Sequence, residues 1–431
     1  MSDDGELTKS ESFAQDRTGL KFILRAFSYR NYQLYFSGQG ISLIGTWMQN
    51  VAMSWLVYRL TNSAFLLGLL GFVSMLPTLL VMPFAGVLVD RWNRRNMLIA
   101  TQVLAMIQAL ILSLLVFIGV ITVRQIIPLS IFLGLVGAID APTRQSFVIE
   151  VVEKKEDLGS AISLNSAMFN GARMIGPSIA GIIVAAFGEG VCFLLNALSF
   201  LAVIFCLFAM KIKPRKVRTS SKNIIHEMKT GFKYAYGSLP IRSIILYLGF
   251  VSLIGMSYFV LMPIFARDIL HGGARTLGFL MASTGIGALG GALFLASRKN
   301  VIQLFKIIVF SGLVFGCGII FFSFSRYLWL SLILLVFTGF GMMTQMASCN
   351  TLVQMIVEDD KRGRVMGLYT TAFMGMMPIG ALITGTLASI IGAPYTMIIN
   401  GLSCLIASLV FASKVEKLMS LSHPIIKNNY R

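Results

Sequence analysis

The stretch Gly86-Val-Leu-Val-Asp-Arg-Trp-Asn-Arg-Arg95 ends one long apolar run and begins another. Gly86 has no Cβ and so permits a close helix crossing. Asp90 stops the apolar run with a carboxylate. Arg91, Arg94 and Arg95 then set three cations in a short loop, which the positive-inside rule places in the cytosol. Asn93 tolerates a left-handed turn better than most residues do. A loop that only obeyed the charge rule would need the arginines but neither Gly86 nor Asp90.

Composition agrees with a chain that crosses a bilayer many times. Of 431 residues 56% are hydrophobic and only 13% are charged, and the mean hydropathy is +0.80. A soluble chain of this length could not cover its surface with so few charges. A net charge of +18 is compatible with nucleic acid, but its distribution decides against that partner. Twenty-nine of the 36 basic residues fall in segments expected on the cytosolic side. Five fall outside (Arg59, Arg124, Arg267, Arg275 and Arg326), while Arg144 and Arg173 lie within apolar spans. The charge therefore reports topology. The five cysteines are not at CxxC spacing, and His226, His271 and His423 form no cluster, so neither a metal nor a disulfide framework is expected. No GxxxxGK[ST] motif and no nucleophile–base pair is visible, so no cofactor is expected and no enzyme.

A spanning helix needs about 20 apolar residues. Twelve spans are expected near 33–57, 65–89, 97–120, 126–148, 159–187, 191–210, 243–266, 276–296, 304–324, 328–352, 365–390 and 394–413. The fold class is thus all-α, a polytopic membrane protein with twelve transmembrane helices in two pseudo-symmetric six-helix halves. A cytosolic N-terminal segment (1–32) with an interfacial helix precedes the first half (33–210). A linker (211–242) carries Ile225, Met228, Phe232 and Tyr236 on one helical face, as an amphipathic helix on the inner leaflet would. The second half (243–413) and a cytosolic tail (414–431) follow. The halves repeat: Asn196-Ala-Leu-Ser199 recurs as Asn400-Gly-Leu-Ser403, and Gly176, Gly181 and Gly188 match Gly380, Gly385 and Gly392. In such two-half transporters the path lies between the halves near the midplane. The sequence Gly285-Ile-Gly-Ala-Leu-Gly290 imitates a dinucleotide fingerprint. It lacks the strand that motif requires and sits in an apolar helix, where Gly287 and Gly291 suit helix packing instead.

Several polar groups stand inside the spans. Gln39, Ser42, Thr46, Gln49, Asn50 and Met53 share one face of span 1. They face either a substrate cavity or a neighbouring helix, since lipid would leave them unsatisfied. Span 4 aligns Ser130, Gly137, Asp140 and Arg144; span 5 aligns Ser163, Ser166, Asn170 and Arg173. Charges at such depth are costly and usually functional. Span 10 aligns Thr338, Met342, Gln345 and Cys349, and further methionines cluster in spans 10 and 11, either as core filler or as an adaptable pocket.

The Gly86–Arg95 stretch resembles the loop 2–3 signature of the major facilitator superfamily, G-x-L-a-D-R-x-G-R-R/K, with Asn93 where the family usually has Gly. Gly171-Ala-Arg-Met-Ile-Gly176-Pro177-Ser-Ile-Ala180-Gly181 is similar to its antiporter signature, g-x-x-x-G-P-x-x-G-G, with Ala172 and Ala180 in place of two glycines. With Arg362-Gly-Arg-Val365, the chain resembles the twelve-span drug and siderophore exporter branch, close to the enterobactin-exporter and macrolide-efflux group. The resemblance implies proton-driven export of an amphipathic small molecule from a bacterial cytoplasmic membrane, with both termini cytosolic, by a protein expected to be a monomer. Import by the same fold and a non-transporting membrane role remain alternatives.

Residue roles follow as expectations. Asp140, the one acid placed well inside a span, is expected to carry the coupling proton with Arg144 one turn away. Gln39, Thr46, Gln49, Asn50, Asn170, Arg173, Met342 and Gln345 are expected to line the cavity, with Arg173 meeting either Asp140 or an anionic group on the cargo. Gly86, Asp90, Arg91, Arg94, Arg95, Glu150, Arg362 and Arg364 are expected to form a cytosolic gate. Gly176, Pro177 and Gly181 are expected to pack span 5 against its neighbours.

Overall fold

The computed structural model describes residues 24–152, 154–212, 224–298 and 302–429. Side chains at 82–88, 90–91, 155, 224–230, 359–360 and 425–429 lie outside that description. The described residues are helical, without strands. After a short turn at Arg25–Ser28, the first half is built from α1 (Arg30–Thr61), α2 (Ala64–Arg91), α3 (Arg94–Ile118), α4 (Val123–Val151), α5 (Leu158–Phe187) and α6 (Glu189–Ala209). The linker forms α7 (Ile224–Gly237). The second half is α8 (Leu239–Ile269), α9 (Ala274–Ala296), α10 (Leu304–Phe324), α11 (Leu328–Ile356), α12 (Asp359–Ile391) and α13 (Ala393–Ala412). A further helix, α14 (Val415–Asn429), packs Leu418 and Ser422 inward where the sequence suggested only a tail.

Among the described residues, eleven helices are long and apolar enough to cross a membrane. Helix α1 is the twelfth: its 32 residues suffice in length, and its polar face keeps it out of the apolar set. We call the end of the bundle that bears α7 the linker face and the opposite end the far face.

Local chemistry sets the helix ends. The Ser63 side chain caps α2 by accepting from the Leu66 amide at 3.3 Å, and Thr122 with Gln125 forms a capping box on α4. Asn93 does not take the left-handed turn that its residue type allows. Its φ is −69°, and its side chain accepts from the Asn96 amide at 3.2 Å, so it caps α3. The internal repeat is written in the backbone. Gly188 and Gly392 share φ values of +82° and +87°, and Asn62 and His271, at equivalent turns of the two halves, share +49° and +50°.

Helix α8 is not regular. After Phe250 it widens into a π turn (Val251–Gly255), tightens to a 3-10 segment (Met256–Leu261), and widens again at Phe265–Ile269. A Cβ at Gly255 would come within 2.7 Å of both Cys404 Sγ and Phe315, so the break follows close packing on α10 and α13. Such interruptions recur at functional sites.

The halves are joined unevenly. One apolar core runs through the second half and takes in far-face residues of the first, including Met48, Leu56, Leu70, Leu112, Ala180 and Phe193. Linker-face residues of the first half, such as Tyr32, Tyr35, Leu98, Phe147 and Leu207, form a separate cluster. The two most extensive crossings between the halves are α2 on α12 and α5 on α9. At the first, a Cβ on Gly68 would lie 2.6 Å from the Ala381 carbonyl. At the second, one on Gly181 would lie 2.9 Å from the Ala274 carbonyl. Toward the linker face Gly171, Gly363 and Gly367 meet nothing within 4 Å, and Ser163, Ser166 and Ala167 are exposed. Among the described residues, the tight crossings between the halves lie toward the far face, and the linker-face positions named here are open.

Candidate functional site

Arg173 sits halfway along α5, about 22 Å from its start at a 1.5 Å rise per residue. Its Nη2 lies 3.5 Å from the Met342 sulfur on α11. Its guanidinium stands 5.8 Å from the Trp47 ring on α1 and 5.5 Å from the Phe259 ring on α8. One wall of this cage, Trp47, comes from the first half, and two, Phe259 and Met342, come from the second. Asp140 is not its partner, since that carboxylate is already filled. Asp140 Oδ1 accepts from Thr101 at 2.9 Å and from Gln102 at 2.8 Å, and Oδ2 pairs with Arg144 at 2.8 Å. Arg144 also donates to Gln39 Oε1 at 3.3 Å. Among the described residues, no carboxylate reaches Arg173.

The expected cavity residues therefore separate. Arg173 and Met342 meet across the halves, with Asn170 half-buried one turn away on α5, its amide donating to the Ser166 carbonyl at 2.9 Å. Gln39 belongs to the Asp140–Arg144 group. Gln49 is held between helices: it donates to Gln108 at 3.0 Å and accepts from Asn196 at 2.7 Å. It faces helix neighbours rather than open space. Thr46 turns its hydroxyl back to the Ser42 carbonyl at 2.9 Å, and Asn50 is exposed. Gln345 lies inside the second half, accepting from the Tyr247 hydroxyl at 2.8 Å beside Gly312, so it too stands off the inter-half space. Gly176 receives Trp47 of α1, Pro177 presents its carbonyl 2.5 Å from where a Cβ on Gly278 would sit, and Gly181 lies on the same α5–α9 crossing. The small-residue signature thus brings α5 against both halves. Gly287 and Gly291 likewise seat α9 on Val336 and Phe340 of α11.

At the linker face, Arg94 and Glu150 pair at 2.7 Å, tying α3 to α4. Arg95 donates to the Phe208 carbonyl at 3.1 Å, and Arg364 lies against α7 at Gly231. Arg362 stands in the first turn of α12. The backbone of Gly86, Asp90 and Arg91 completes α2; their side chains lie outside the described residues. Lys361 bonds the Glu358 carboxylate at 2.7 Å and holds it below its ordinary range, and burial pushes the nearby Tyr234 hydroxyl up.

Three groups at these sites do not stand out in the sequence. Thr101 and Gln102 left a signal, as polar residues in an apolar span. Tyr258 and Phe259 left none among 12 tyrosines and 32 phenylalanines. The third is a latch across the far face: Tyr58 donates to Asp268, and Arg267 donates to Asn62 at 2.6 Å, joining the ends of α1 and α8.

A protein-family model described as "Transmembrane secretion effector" matches residues 25–424. The staphyloferrin A transporter of Staphylococcus aureus is 26% identical, covering 88% of this chain and 94% of its own. The multidrug efflux pump Tap of Mycolicibacterium fortuitum is 24% identical, covering 90% and 95%. The crystal structure of a bacterial homologue of the human lysosomal transporter Spinster, in an inward-facing and unoccupied conformation, superposes with a TM-score of 0.66. That alignment has 12% identity and covers 96% of this chain and 100% of the other.

Proposed function

The chain belongs to the transmembrane secretion effector family of the major facilitator superfamily, and on that premise we propose that it exports an amphipathic small molecule, siderophore or drug-like, by proton-coupled alternating access. The observation that carries this is the uneven joining of the halves: sealed by small residues at the far face, parted toward the linker face, with ionisable groups at the midplane. We take the linker face as cytosolic, in keeping with its basic segments, so both termini are cytosolic and cargo enters from the cell interior. A bacterial cytoplasmic membrane and a monomer fit the relatives and the single-chain path. The Gly86–Arg95 stretch, Glu150, Arg362 and Arg364 would close the cytosolic side when the far face opens.

Proton coupling is assigned to Asp140. A protonated Asp140 would release Arg144 while keeping acceptor capacity for Thr101 or Gln102, so the pair can exchange partners as the halves rock. Arg144 already reaches from Asp140 on α4 to Gln39 on α1, which gives that exchange a second partner. The test is Asp140→Asn in proteoliposomes. Movement of a macrolide or of ethidium driven by a pH difference should stop, while exchange of that probe at equal pH continues. Driven accumulation that survives the substitution would place coupling elsewhere and leave Asp140–Arg144 as a fixed brace for α4.

A further inference from the structure

We propose that the cargo carries a carboxylate, or an oxyanion of like geometry, which docks at the midplane between the Arg173 guanidinium and the Tyr258 hydroxyl; the inference rests on the transport role above. Arg173 is a permanent cation too deep in α5 to reach the aqueous surface along its own stem. It has five N–H donors, and the acceptor it meets is a thioether, which is weak. The acid that the sequence offered as its partner is committed elsewhere: Asp140 holds Thr101, Gln102 and Arg144. Tyr258 is fully buried in the 3-10 break of α8, and its ring stands 4.3 Å from the Phe259 ring that Arg173 faces at 5.5 Å. Its hydroxyl lies beside the Thr284 hydroxyl on α9 without a well-formed hydrogen bond. A buried phenol donor and a half-buried guanidinium without a carboxylate partner therefore meet from opposite halves.

The chemistry selects among cargoes. A planar guanidinium fork matches a carboxylate with two parallel hydrogen bonds, and a phenol can donate a third. A cationic cargo would meet like charge where the aromatic faces of Trp47 and Phe259 are already occupied by Arg173. Access exists along one face of α5, where Asn170, Ser166 and Ser163 descend from Arg173 toward the linker face and both serines are exposed. A carboxylate bridging Arg173 and Tyr258 would also tie one half to the other, which is what a transported substrate must do to bias alternating access.

The test uses the full-length protein in detergent and two probes of one shape, anthracene-9-carboxylate and anthracene-9-carboxamide. Binding is measured by equilibrium dialysis against protein-free micelles. The wild type should bind the carboxylate at least tenfold more tightly than the amide. Arg173→Gln should bring the two within twofold, Arg173→Lys should keep part of the preference, and Tyr258→Phe should lower it several-fold. If Arg173→Gln does not fold, Tyr258→Phe, which removes one oxygen, carries the test. A wild type without saturable preference for the carboxylate, or a preference untouched by these substitutions, overturns the proposal. Ethidium movement in energised vesicles separates the two levels. Ethidium transport without carboxylate preference sinks the docking site and leaves export standing, whereas vesicles that move neither probe sink export itself.

Discussion

Gly68→Ala tests the uneven closure of the halves through a single carbon. A Cβ at Gly68 would lie 2.6 Å from the Ala381 carbonyl oxygen and 2.7 Å from Gly385 Cα. Ordinary contacts stand at about 3.5–4.0 Å, so α2 and α12 must part by about 1 Å. Both obstacles are backbone, and no side chain can swing aside. Overpacking of this kind costs about 1–3 kcal/mol. That cost falls on the state closed at the far face and not on the state open there, so the equilibrium should move toward far-face opening by about five- to more than a hundredfold. Gly171→Ala is the control, because nothing lies within 4 Å of its Cβ position. The assay replaces the five native cysteines, installs Asn62→Cys with Arg267→Cys across the far face, and follows bridging by a short bifunctional thiol reagent. Bridging should fall sharply in Gly68→Ala and stay unchanged in Gly171→Ala. Equal bridging in both would refute the claim that this crossing holds the far face shut.

Tyr58→Phe removes the hydroxyl that Asp268 accepts and should lower the same bridging several-fold without loss of expression; unaltered bridging would reduce the latch to a bystander. Gln49→Leu breaks links to Gln108 and Asn196 and strands a donor and an acceptor, so detergent-phase unfolding should show a loss of about 1–3 kcal/mol, and no loss would mean these amides do not hold α1, α3 and α6 together. Arg59→Ala leaves the Glu189 carboxylate unpaired. Because the Arg59 side chain is 47% exposed while that of Glu189 is 6% exposed, the loss should be about 1–2 kcal/mol, below that of a fully buried pair. Adding Glu189→Gln should restore most of it, and a double variant no better than Arg59→Ala would contradict the assignment.

Spans, halves and the repeat were legible in the sequence because bilayer thickness and charge bias write themselves into local composition. Asp140–Arg144 was legible because its partners stand one helical turn apart. The cage around Arg173 was not, since Trp47, Phe259 and Met342 come from three other helices and look like any apolar residue in a span. Gln49 and Gln345 looked like cavity walls because a polar face tells nothing of what covers it; the covering groups, Asn196 and Tyr247, lie 147 and 98 residues away. The break in α8 left no mark either, because Gly255 is pressed by Cys404 and Phe315 from distant helices. Asn93 met its turn by capping α3, a local choice between two conformations that residue type alone does not decide.

Export is tested most directly in everted membrane vesicles from a host stripped of its own efflux pumps. The vesicles are energised to acidify their lumen and supplied with ethidium, with a macrolide and with anthracene-9-carboxylate. Vesicles bearing this protein should accumulate at least one probe above empty vesicles, and a protonophore should release it within the collapse of the pH difference. Accumulation equal to that of empty vesicles, or accumulation indifferent to the protonophore, would contradict proton-coupled export.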